Sequence, residues 1–246
     1  RDRSVSRGLG DVYKRQEQAA DSMYTLCGKD RIHPSTDGHL VMAYLFLKAQ
    51  GLAGKLVADI RIDGAGKKVT RSDNCRVSDL SVSSDNLTFT YEAKSLPYPI
   101  DTSYYDNEKH TQADALSVIP FMDEMNYEGL SVSGLSDGYY GLTIGGEFIG
   151  RFTARELERG INMALLQNTP QYKQAMKIRQ MNEERWLKER KMREFYWVEY
   201  NLMRKTGMLW ACDEAAVDTL RKYRPHDIFL QWNGDLWLQY LSLIHI

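Results

Sequence analysis

The 246-residue chain lacks several features that would assign it to a special class of protein. Its formal net charge is -1 and its pI is near 6.6, so there is no basic surplus of the kind that nucleic-acid-binding proteins carry. No apolar run approaches the roughly 18 residues needed to span a bilayer. With 43% hydrophobic and 26% charged residues, the composition is that of a globular protein with one large domain or two small ones.

Cysteine is scarce and widely spaced. Cys27, Cys75 and Cys212 form no C-x-x-C pair, so the spacing predicts neither a zinc site nor a full disulfide framework. One disulfide between two of the three remains open at this stage. Cysteine usage therefore does not decide the compartment in which the protein works.

The two ends of the chain are related at the level of DNA. The codons GAT GTG TAT AAG AGA CAG encode "DVYKRQ", residues 11–16, and their reverse complement encodes "LSLIHI", residues 241–246. This inverted repeat resembles the transposase end sequence used to prepare sequencing libraries, and "SRGLG", residues 6–10, can be translated from the adapter arm beside it. We therefore expect residues 1–16 and 241–246 to be adapter-derived. Residues 17–240 are then expected to be an internal part of a longer reading frame.

The first region, residues 17–54, is predicted to end in a helix that begins after Pro34. Residues 35–37 are Ser, Thr and Asp, which can cap a first turn, and Gly51 is a stop signal at the other end. Residues 22–27 are expected to be a short strand or an extended lead-in. The helix face predicted to be buried carries Leu40, Ala43, Tyr44, Leu47 and Leu52.

The second region, residues 55–152, is predicted to be rich in β-structure. The hydrophobic period changes from helical to alternating at its start, so residues 55–95 are expected to form a small antiparallel sheet. A short helix is expected over residues 113–118. Gly145 and Gly146 are predicted to turn a two-residue hairpin between "YGLTI" and "EFIGRF".

The third region, residues 153–240, is predicted to be helical. Thr153 and Glu156 form the capping-box pattern T-x-x-E, which predicts a helix over residues 154–167. A long helix without a sustained heptad is expected after Pro170. The stripe of this helix that is predicted to be buried contains Tyr172, Ala175, Ile178, Met181, Trp186, Phe195, Val198 and Leu202.

The stretch "KDRIHPSTDGH", residues 29–39, contains the candidate site. Asp30 lies three positions before His33, so in a tight turn its carboxylate can fold back onto the imidazole ring. A serine hydrolase needs this combination, because one ring nitrogen takes the hydroxyl proton while a carboxylate holds the other. Pro34 biases His33 towards an extended backbone and directs the ring away from the following helix. By itself, the spacing also fits two ordinary surface-loop residues.

The sequence "DRIHPSTDGHLVMAYLFLKAQGL" resembles the last conserved block of the SGNH, or GDSL-type, hydrolases. That block consists of Asp-x-x-His-Pro, a few polar residues, a glycine and a helix carrying Met-Ala. The sequence downstream also resembles the C-terminal extension of bacterial members of the family. The residues that match the block are Asp30, His33, Pro34, Gly38, Met42 and Ala43.

This resemblance implies a carboxylic-ester hydrolase, an esterase or acylhydrolase, with His33 as general base and Asp30 as its orienter. The implied fold is an α+β fragment: the last turn and helix of a flavodoxin-like α/β domain, a small antiparallel β region and long C-terminal helices. The implied substrate is a small-molecule, carbohydrate or lipid ester, and the implied mechanism uses no metal or organic cofactor.

The family's nucleophilic serine and its oxyanion-hole glycine and asparagine have no counterpart in this sequence. Ser22 follows an aspartate, but it lies only eleven positions before His33 and lacks the strand-to-helix setting of a nucleophile. We therefore expect the three missing groups to be encoded upstream. The isolated chain is predicted to be inactive or nearly so.

Other motifs have simpler structural interpretations. His33, Asp37 and His39 could be imagined as metal ligands, but capping and surface positions explain them better. The segment "GLTIGGEFIG" lacks the spacing of a phosphate-binding loop and favours a hairpin. The aromatic residues of "WLKERKMREFYWVEY", residues 186–200, could stack on carbohydrate, although their helical spacing favours a core. The rival to a hydrolase is a non-catalytic binding or interaction module in which Asp30 and His33 are incidental.

Overall fold

The computed structural model describes residues 25–28, 30–84, 86–103 and 110–244. The chain divides into two compact units, Arg1–Lys177 and Ile178–Ile246. The predicted adapter-derived residues 1–16, Ser22, and residues 245 and 246 lie outside the described part. The division predicted from the sequence, with boundaries after residues 54 and 152, stays a prediction.

The first unit combines small sheets with short helices, as the predicted mixture of α and β structure requires. Two short 3-10 helices, Gln112–Ser117 and Met163–Leu165, complete it. In chain order its other elements are α1 (Thr36–Ala49), β1 (Ala58–Asp63), β2 (Lys68–Asp73), β3 (Cys75–Val82), β4 (Leu87–Ala93), α2 (Phe121–Glu124), β5 (Glu128–Ser133), β6 (Tyr139–Ile144), β7 (Glu147–Thr153), α3 (Ala154–Arg159), β8 (Ile161–Asn162) and the start of α4 (Pro170–Val198).

A four-stranded sheet in the order β2-β1-β5-β8 organises the first unit. β1 pairs antiparallel with β2 but parallel with β5, with Ile60 opposite Leu130. The prediction of one antiparallel sheet over residues 55–95 is therefore wrong, because β3 and β4 form a separate hairpin and β1 has a distant parallel partner. The distant partner could not be read from β1, because Ala58, Ile60 and Ile62 are buried on one face while the other face carries charged residues, as in a strand of an antiparallel sheet.

The hairpin turn and the helix cap form where the sequence predicts them. Gly145 and Gly146 have φ angles of 60° and 85°, the positive values that a tight two-residue turn requires, and they join β6 to β7. Thr153 Oγ1 accepts the N–H of Glu156 at 3.2 Å, and Glu156 accepts the N–H of Thr153 at 2.7 Å. The helix that this capping box opens ends at Arg159 instead of reaching residue 167, because the chain turns at Gly160 with φ 93°.

α1 packs against the segment around α2. Val41 and Leu45 are buried there, whereas Ala43 is exposed and Leu47 and Leu52 are half-buried, so the buried face lies beside the predicted one. Its far end is fixed by a polar network in which Glu124 accepts from the hydroxyl of Tyr44 at 2.6 Å and from Lys48 at 3.0 Å. The buried cluster contains Leu40, Val41, Tyr44, Leu45, Ile100, Ala115, Val118, Ile119 and Phe121.

The second unit consists of helices, as predicted for the C-terminal part. It contains the rest of α4, a π-helical turn at Glu199–Met203, α5 (Glu214–Tyr223) and α6 (Ile228–Ile244). Within the described residues, none of the helices combines the length and apolar character needed to cross a membrane. The core of this unit contains Val198, Leu202, Met203, Ala216, Leu220, Leu230, Trp237 and Leu241.

The middle of α4 is exposed, contrary to the predicted apolar stripe. Ile178, Met181 and Trp186 are 46%, 61% and 50% exposed. Ion pairs between residues four apart support this part of the helix instead. The apolar spacing is interrupted by "NEER", residues 182–185, and neither side of the helix is buried in this part. The pairs are Arg179–Glu183, Arg185–Glu189 and Arg190–Glu194.

Candidate active site

The loop before α1 is closed by two backbone hydrogen bonds. The N–H of Gly28 donates to the carbonyl of His33 at 2.7 Å, and the N–H of Ser35 donates to the carbonyl of Leu26 at 3.0 Å. Between these bonds Cys27 and Pro34 form an isolated β-bridge. The lead-in predicted at residues 22–27 therefore pairs with the chain that follows the loop, and its first three residues lie outside the described part.

Asp30 uses both of its carboxylate oxygens inside this loop. Oδ2 lies 2.5 Å from Nδ1 of His33, while Oδ1 accepts the backbone N–H groups of Ile32 at 2.9 Å and His33 at 3.1 Å. The hydrogen bond from the His33 ring, helped by the two backbone donors, lowers the pKa of Asp30 to about 2. Asp30 is therefore a carboxylate across the neutral pH range.

This contact orients the imidazole of His33 and leaves its other side open. The His33 side chain is 84% exposed and that of Asp30 is 47% exposed. When Nδ1–H is donated to Asp30, the neutral ring presents Nε2 as its basic nitrogen. A carboxylate on one nitrogen and an accessible lone pair on the other are the properties of a general base.

Asp37 supports the loop from inside the protein. Its side chain is fully buried, and Oδ1 accepts hydrogen bonds from the Ser35 hydroxyl and, at 2.8 Å, from the N–H of Gly38. The first turn of α1 is therefore not capped in the way that the sequence predicts. Ser35 is the N-cap residue of α1, but its hydroxyl binds Asp37 instead of a helix N–H.

Gly38 occupies a position where a side chain does not fit. A Cβ atom built there would lie 2.0 Å from the carbonyl oxygen of Leu26. The lead-in can approach α1 this closely only because residue 38 is glycine. This contact is the structural reason for the glycine in the Asp-x-x-His block.

His110 lies near the site and was missed by the sequence analysis. Its Nδ1 is 3.9 Å from Oδ2 of Asp37, a buried oxygen that has no hydrogen-bond partner in the described part of the chain. His110 precedes the 3-10 helix Gln112–Ser117, whose Ala115 shares a hydrophobic cluster with α1. No local pattern could have found this contact, because it depends on the packing of two segments that are distant in sequence.

The remaining candidate motifs occupy ordinary structural positions. His33 and His39 are exposed and Asp37 is buried. Among the residues that the structure describes, no group of three or more His, Cys, Asp or Glu side chains is placed to hold a metal ion. The glycine-rich segment "GLTIGGEFIG" forms the hairpin of β6 and β7.

The aromatic side chains of residues 186–200 divide between a core and an exposed surface, so the predicted core is formed only in part. Phe195 and Trp197 pack against the core of the second unit, whereas Trp186 is 50% exposed. Tyr196, Tyr200 and Trp210 are 42%, 44% and 51% exposed. Their rings contact one another with centroids 5.8 to 6.2 Å apart. The buried face of the helix carries Val198, and Tyr196 and Tyr200 lie on the neighbouring face. Helical spacing alone did not separate these two faces.

Comparison with known proteins points to one group of relatives. Residues 176–242 match the model of a family described as the diltiazem deacetylase C-terminal helical domain. The whole fold is similar to the solved structure of a gut microbial diltiazem-metabolizing enzyme, with 40% sequence identity and a TM-score of 0.86 over 94% of this chain and 52% of that chain. This chain thus spans about half the length of that enzyme. No curated protein matches the chain.

Proposed function

We propose that this chain is part of a carboxylic-ester hydrolase in which His33 is the general base and Asp30 orients it. The observation that carries the proposal is the 2.5 Å contact between Asp30 Oδ2 and His33 Nδ1, with the ring exposed on its other side. The similarity to a diltiazem-metabolizing enzyme supports a hydrolase. A deacetylase, the activity in the name of the matching family, removes an acyl group, which is the reaction that such a base assists.

The proposed hydrolase is of the SGNH type. In this proposal α1 is the last helix of a flavodoxin-like α/β domain, and the β-rich and helical parts after it are an extension. The catalytic serine lies in a part of a longer protein that this chain does not include. Ser35, two positions after His33, is buried and its hydroxyl donates to Asp37, so it is not available as the nucleophile.

The proposed mechanism proceeds through an acyl-enzyme. Nε2 of His33 takes the proton of the serine hydroxyl as its oxygen attacks the ester carbonyl, and the Asp30 carboxylate stabilises the imidazolium that forms. The imidazolium then gives this proton to the departing alkoxide. Water, deprotonated in turn by Nε2, attacks the acyl group, and the imidazolium gives its proton to the departing serine oxygen, which releases the carboxylic acid and restores the serine hydroxyl. These steps use side chains and water alone.

The substrate class to test first is an acetyl ester of a small molecule. The names of the similar proteins refer to deacetylation and to diltiazem, which supports a small-molecule ester over a polymer. Carbohydrate and lipid esters belong to the same reaction class, because each presents an ester carbonyl to the same nucleophile.

The experiment that tests this proposal starts from the DNA upstream of the codons for residues 25–40. Its translation is expected to give a Gly-Asp-Ser block after a hydrophobic strand, then separate blocks with the glycine and the asparagine of an oxyanion hole. The 246-residue chain itself is expected to release no nitrophenol from p-nitrophenyl acetate. A flank without these blocks would overturn the proposal. Hydrolysis by the chain that His33→Ala abolishes would overturn the placement of the serine outside this chain.

A second candidate function is a binding or interaction module. The observation in its favour is the exposed contact group of Tyr196, Tyr200 and Trp210 in the helical unit, since exposed aromatic side chains are typical of recognition surfaces. A binding or interaction module becomes the preferred function if the upstream sequence contains no Gly-Asp-Ser block.

A further inference from the structure

A cleft of about 390 Å³ opens in the first unit between the end of β4 and the first turn of α4. This volume is at the lower end of the range of about 300–1,000 Å³ that is usual for small-molecule sites. Its wall is mixed, with apolar side chains next to amide, hydroxyl and ammonium groups. The residues that matter for its chemistry are Tyr91, Lys94, Ile144, Gln171 and Gln174.

A buried carboxyl group lies directly behind this wall. Glu128 is fully buried in β5, and its Oε1 accepts the Tyr91 hydroxyl at 2.9 Å and the Gln171 amide at 3.1 Å. Its Oε2 is buried and has no hydrogen-bond partner among the described residues. Burial raises the pKa of the Glu128 carboxyl, against the opposing effect of its two donors. Burying a carboxyl group with one unpartnered oxygen lowers the free energy of unfolding. In this position the group fixes two side chains that line the cleft.

Glu128 also determines which hydrogen-bonding groups the cleft presents. Because Oε1 accepts from both neighbours, Tyr91 uses its only O–H and Gln171 uses an N–H towards the interior. What remains for a ligand is the phenolic oxygen of Tyr91, which can only accept, and the amide oxygen and second N–H of Gln171. A ligand that binds the Tyr91 oxygen must therefore donate a hydrogen bond to it.

Lys94 narrows the ligand class further. Its ammonium group is a donor and a positive charge at the same cleft, so it disfavours a cationic ligand and favours one with oxygen acceptors. A hydroxyl group both donates and accepts. Ile144 and Pro170 supply the apolar contact that the carbon skeleton of such a molecule needs.

We propose that this cleft binds a small polyhydroxylated ligand, of the size of a monosaccharide, whose hydroxyl groups donate to Tyr91 and Gln171 and accept from Lys94. Glu128 does not touch the ligand and acts by holding Tyr91 and Gln171 in place. The proposal is independent of the hydrolase activity, because it concerns binding by residues far from Asp30 and His33 in the sequence.

The test uses a matched pair of probes with the 246-residue chain in saturation-transfer NMR titrations. Methyl β-D-glucopyranoside carries four hydroxyl donors, and its tetra-O-methyl ether keeps the ring and the oxygen acceptors but cannot donate. The glucoside is expected to bind more tightly than the ether, because the ether cannot donate to Tyr91. Binding of neither probe, equal binding of both, or binding of choline in place of the glucoside would overturn the proposal.

Two variants locate the site. Tyr91→Phe keeps the ring but removes the acceptor, so the affinity for the glucoside should fall about three- to tenfold, the effect of one hydrogen bond between uncharged groups. Tyr140→Phe is the matched control, because its hydroxyl donates to the carbonyl of Ser136 and does not line the cleft. If Tyr91→Phe does not fold, the affinity of Lys94→Met for the glucoside tests the same site, because Lys94 is exposed. Unchanged affinity in Lys94→Met and in a folded Tyr91→Phe would contradict the assignment.

Discussion

The contact between Asp30 and His33 is made within four consecutive residues, so it can be tested one side chain at a time. His33→Ala is expected to raise the pKa of Asp30 from about 2 towards its usual value of 3.8, because the ring is the largest cause of the lowered pKa. The rise should be incomplete, since the backbone N–H groups still donate to the carboxylate. Titration of the Asp carboxyl carbons by NMR measures this shift.

The same titration contains its own control. Asp79 also has a lowered pKa, caused first by a hydrogen bond from Thr90 and then by one from Ser78, neither of which involves His33. The titration of Asp79 should be identical in wild type and in His33→Ala. If Asp30 titrates alike in wild type and His33→Ala, the pair is not formed in solution.

Glu128 should make the free energy of unfolding fall as the pH rises. Its pKa is raised by burial in the folded state, so the folded protein keeps this proton to higher pH than the unfolded chain does. The stabilising contribution is complete below the unfolded pKa near 4.5 and is lost as the pH rises through the folded pKa. Glu128→Gln should therefore gain in melting temperature relative to wild type as the pH rises above the unfolded pKa near 4.5.

Glu92→Gln is the control for this measurement, because Glu92 follows Tyr91 on β4, is exposed and pairs with Arg76. Its melting temperature should keep a nearly constant offset from wild type over the same pH range. A constant offset for Glu128→Gln as well would show that Glu128 does not titrate differently in the folded state.

Among contacts between single residues, the sequence predicted those between residues that are close together in the chain. Asp30 and His33 are three positions apart, and their contact follows from a turn that the residues themselves favour. Asp37 was expected only as a capping residue, and His110 and Glu128 were not expected at all. Their roles depend on burial and on partners from distant segments, such as Tyr91 and Gln171, which no local pattern specifies.

The close packing at the start of α1 depends on Gly38. Adding a single methyl group at this position tests that packing. Gly38→Ala should lower the free energy of unfolding by at least about 2 kcal/mol, because its Cβ would meet the Leu26 carbonyl at 2.0 Å and backbone must move. Gly138→Ala, where a Cβ meets nothing within 4 Å, should change it by less than about 0.5 kcal/mol. Urea unfolding compares the two, and equal midpoints would contradict the close packing at Gly38.

The π-helical turn after α4 is anchored by a buried carboxylate. Glu199 accepts the indole N–H of Trp237 at 2.6 Å and the backbone N–H of Trp210 at 2.9 Å, and Trp210 has a φ of 66° that side-chain-bearing residues rarely adopt. Glu199→Ala leaves both donors without a partner and should cost about 3 kcal/mol. Glu214→Ala, in an exposed ion pair with Arg221, should cost less than about 1 kcal/mol. Similar urea midpoints for the two variants would contradict the anchoring role.

Elements with local signals were predictable and those with distant partners were not. The hairpin at Gly145 and Gly146 and the capping box at Thr153 lie where the sequence indicates, because each is decided within a few residues. The parallel pairing of β1 with β5 joins strands separated by three other strands, a 3-10 helix and α2, so alternation along β1 could not reveal it. The exposed middle of α4 shows the same limit, since a hydrophobic period does not say whether anything covers it.

For the whole molecule, two independent divisions of the chain agree. The compact units divide between Lys177 and Ile178, and the match to a helical-domain family begins at residue 176. Composition had predicted one large domain or two small ones, with helices at the C-terminal end. The position of the boundary inside the single helix α4 could not be predicted, because the helix continues through it without a break in sequence pattern.

The most direct measurement is ester hydrolysis by the protein of the complete reading frame, with p-nitrophenyl acetate as substrate. His33→Ala should lower kcat by about 10⁴-fold or more, and Asp30→Asn by about 10⁴-fold, because each removes a member of the proposed triad. His39→Ala, an exposed histidine on the adjacent helix, should leave the rate unchanged. If His33→Ala hydrolyses the ester as fast as wild type, the Asp30–His33 pair is not the catalytic base and the proposed function is wrong.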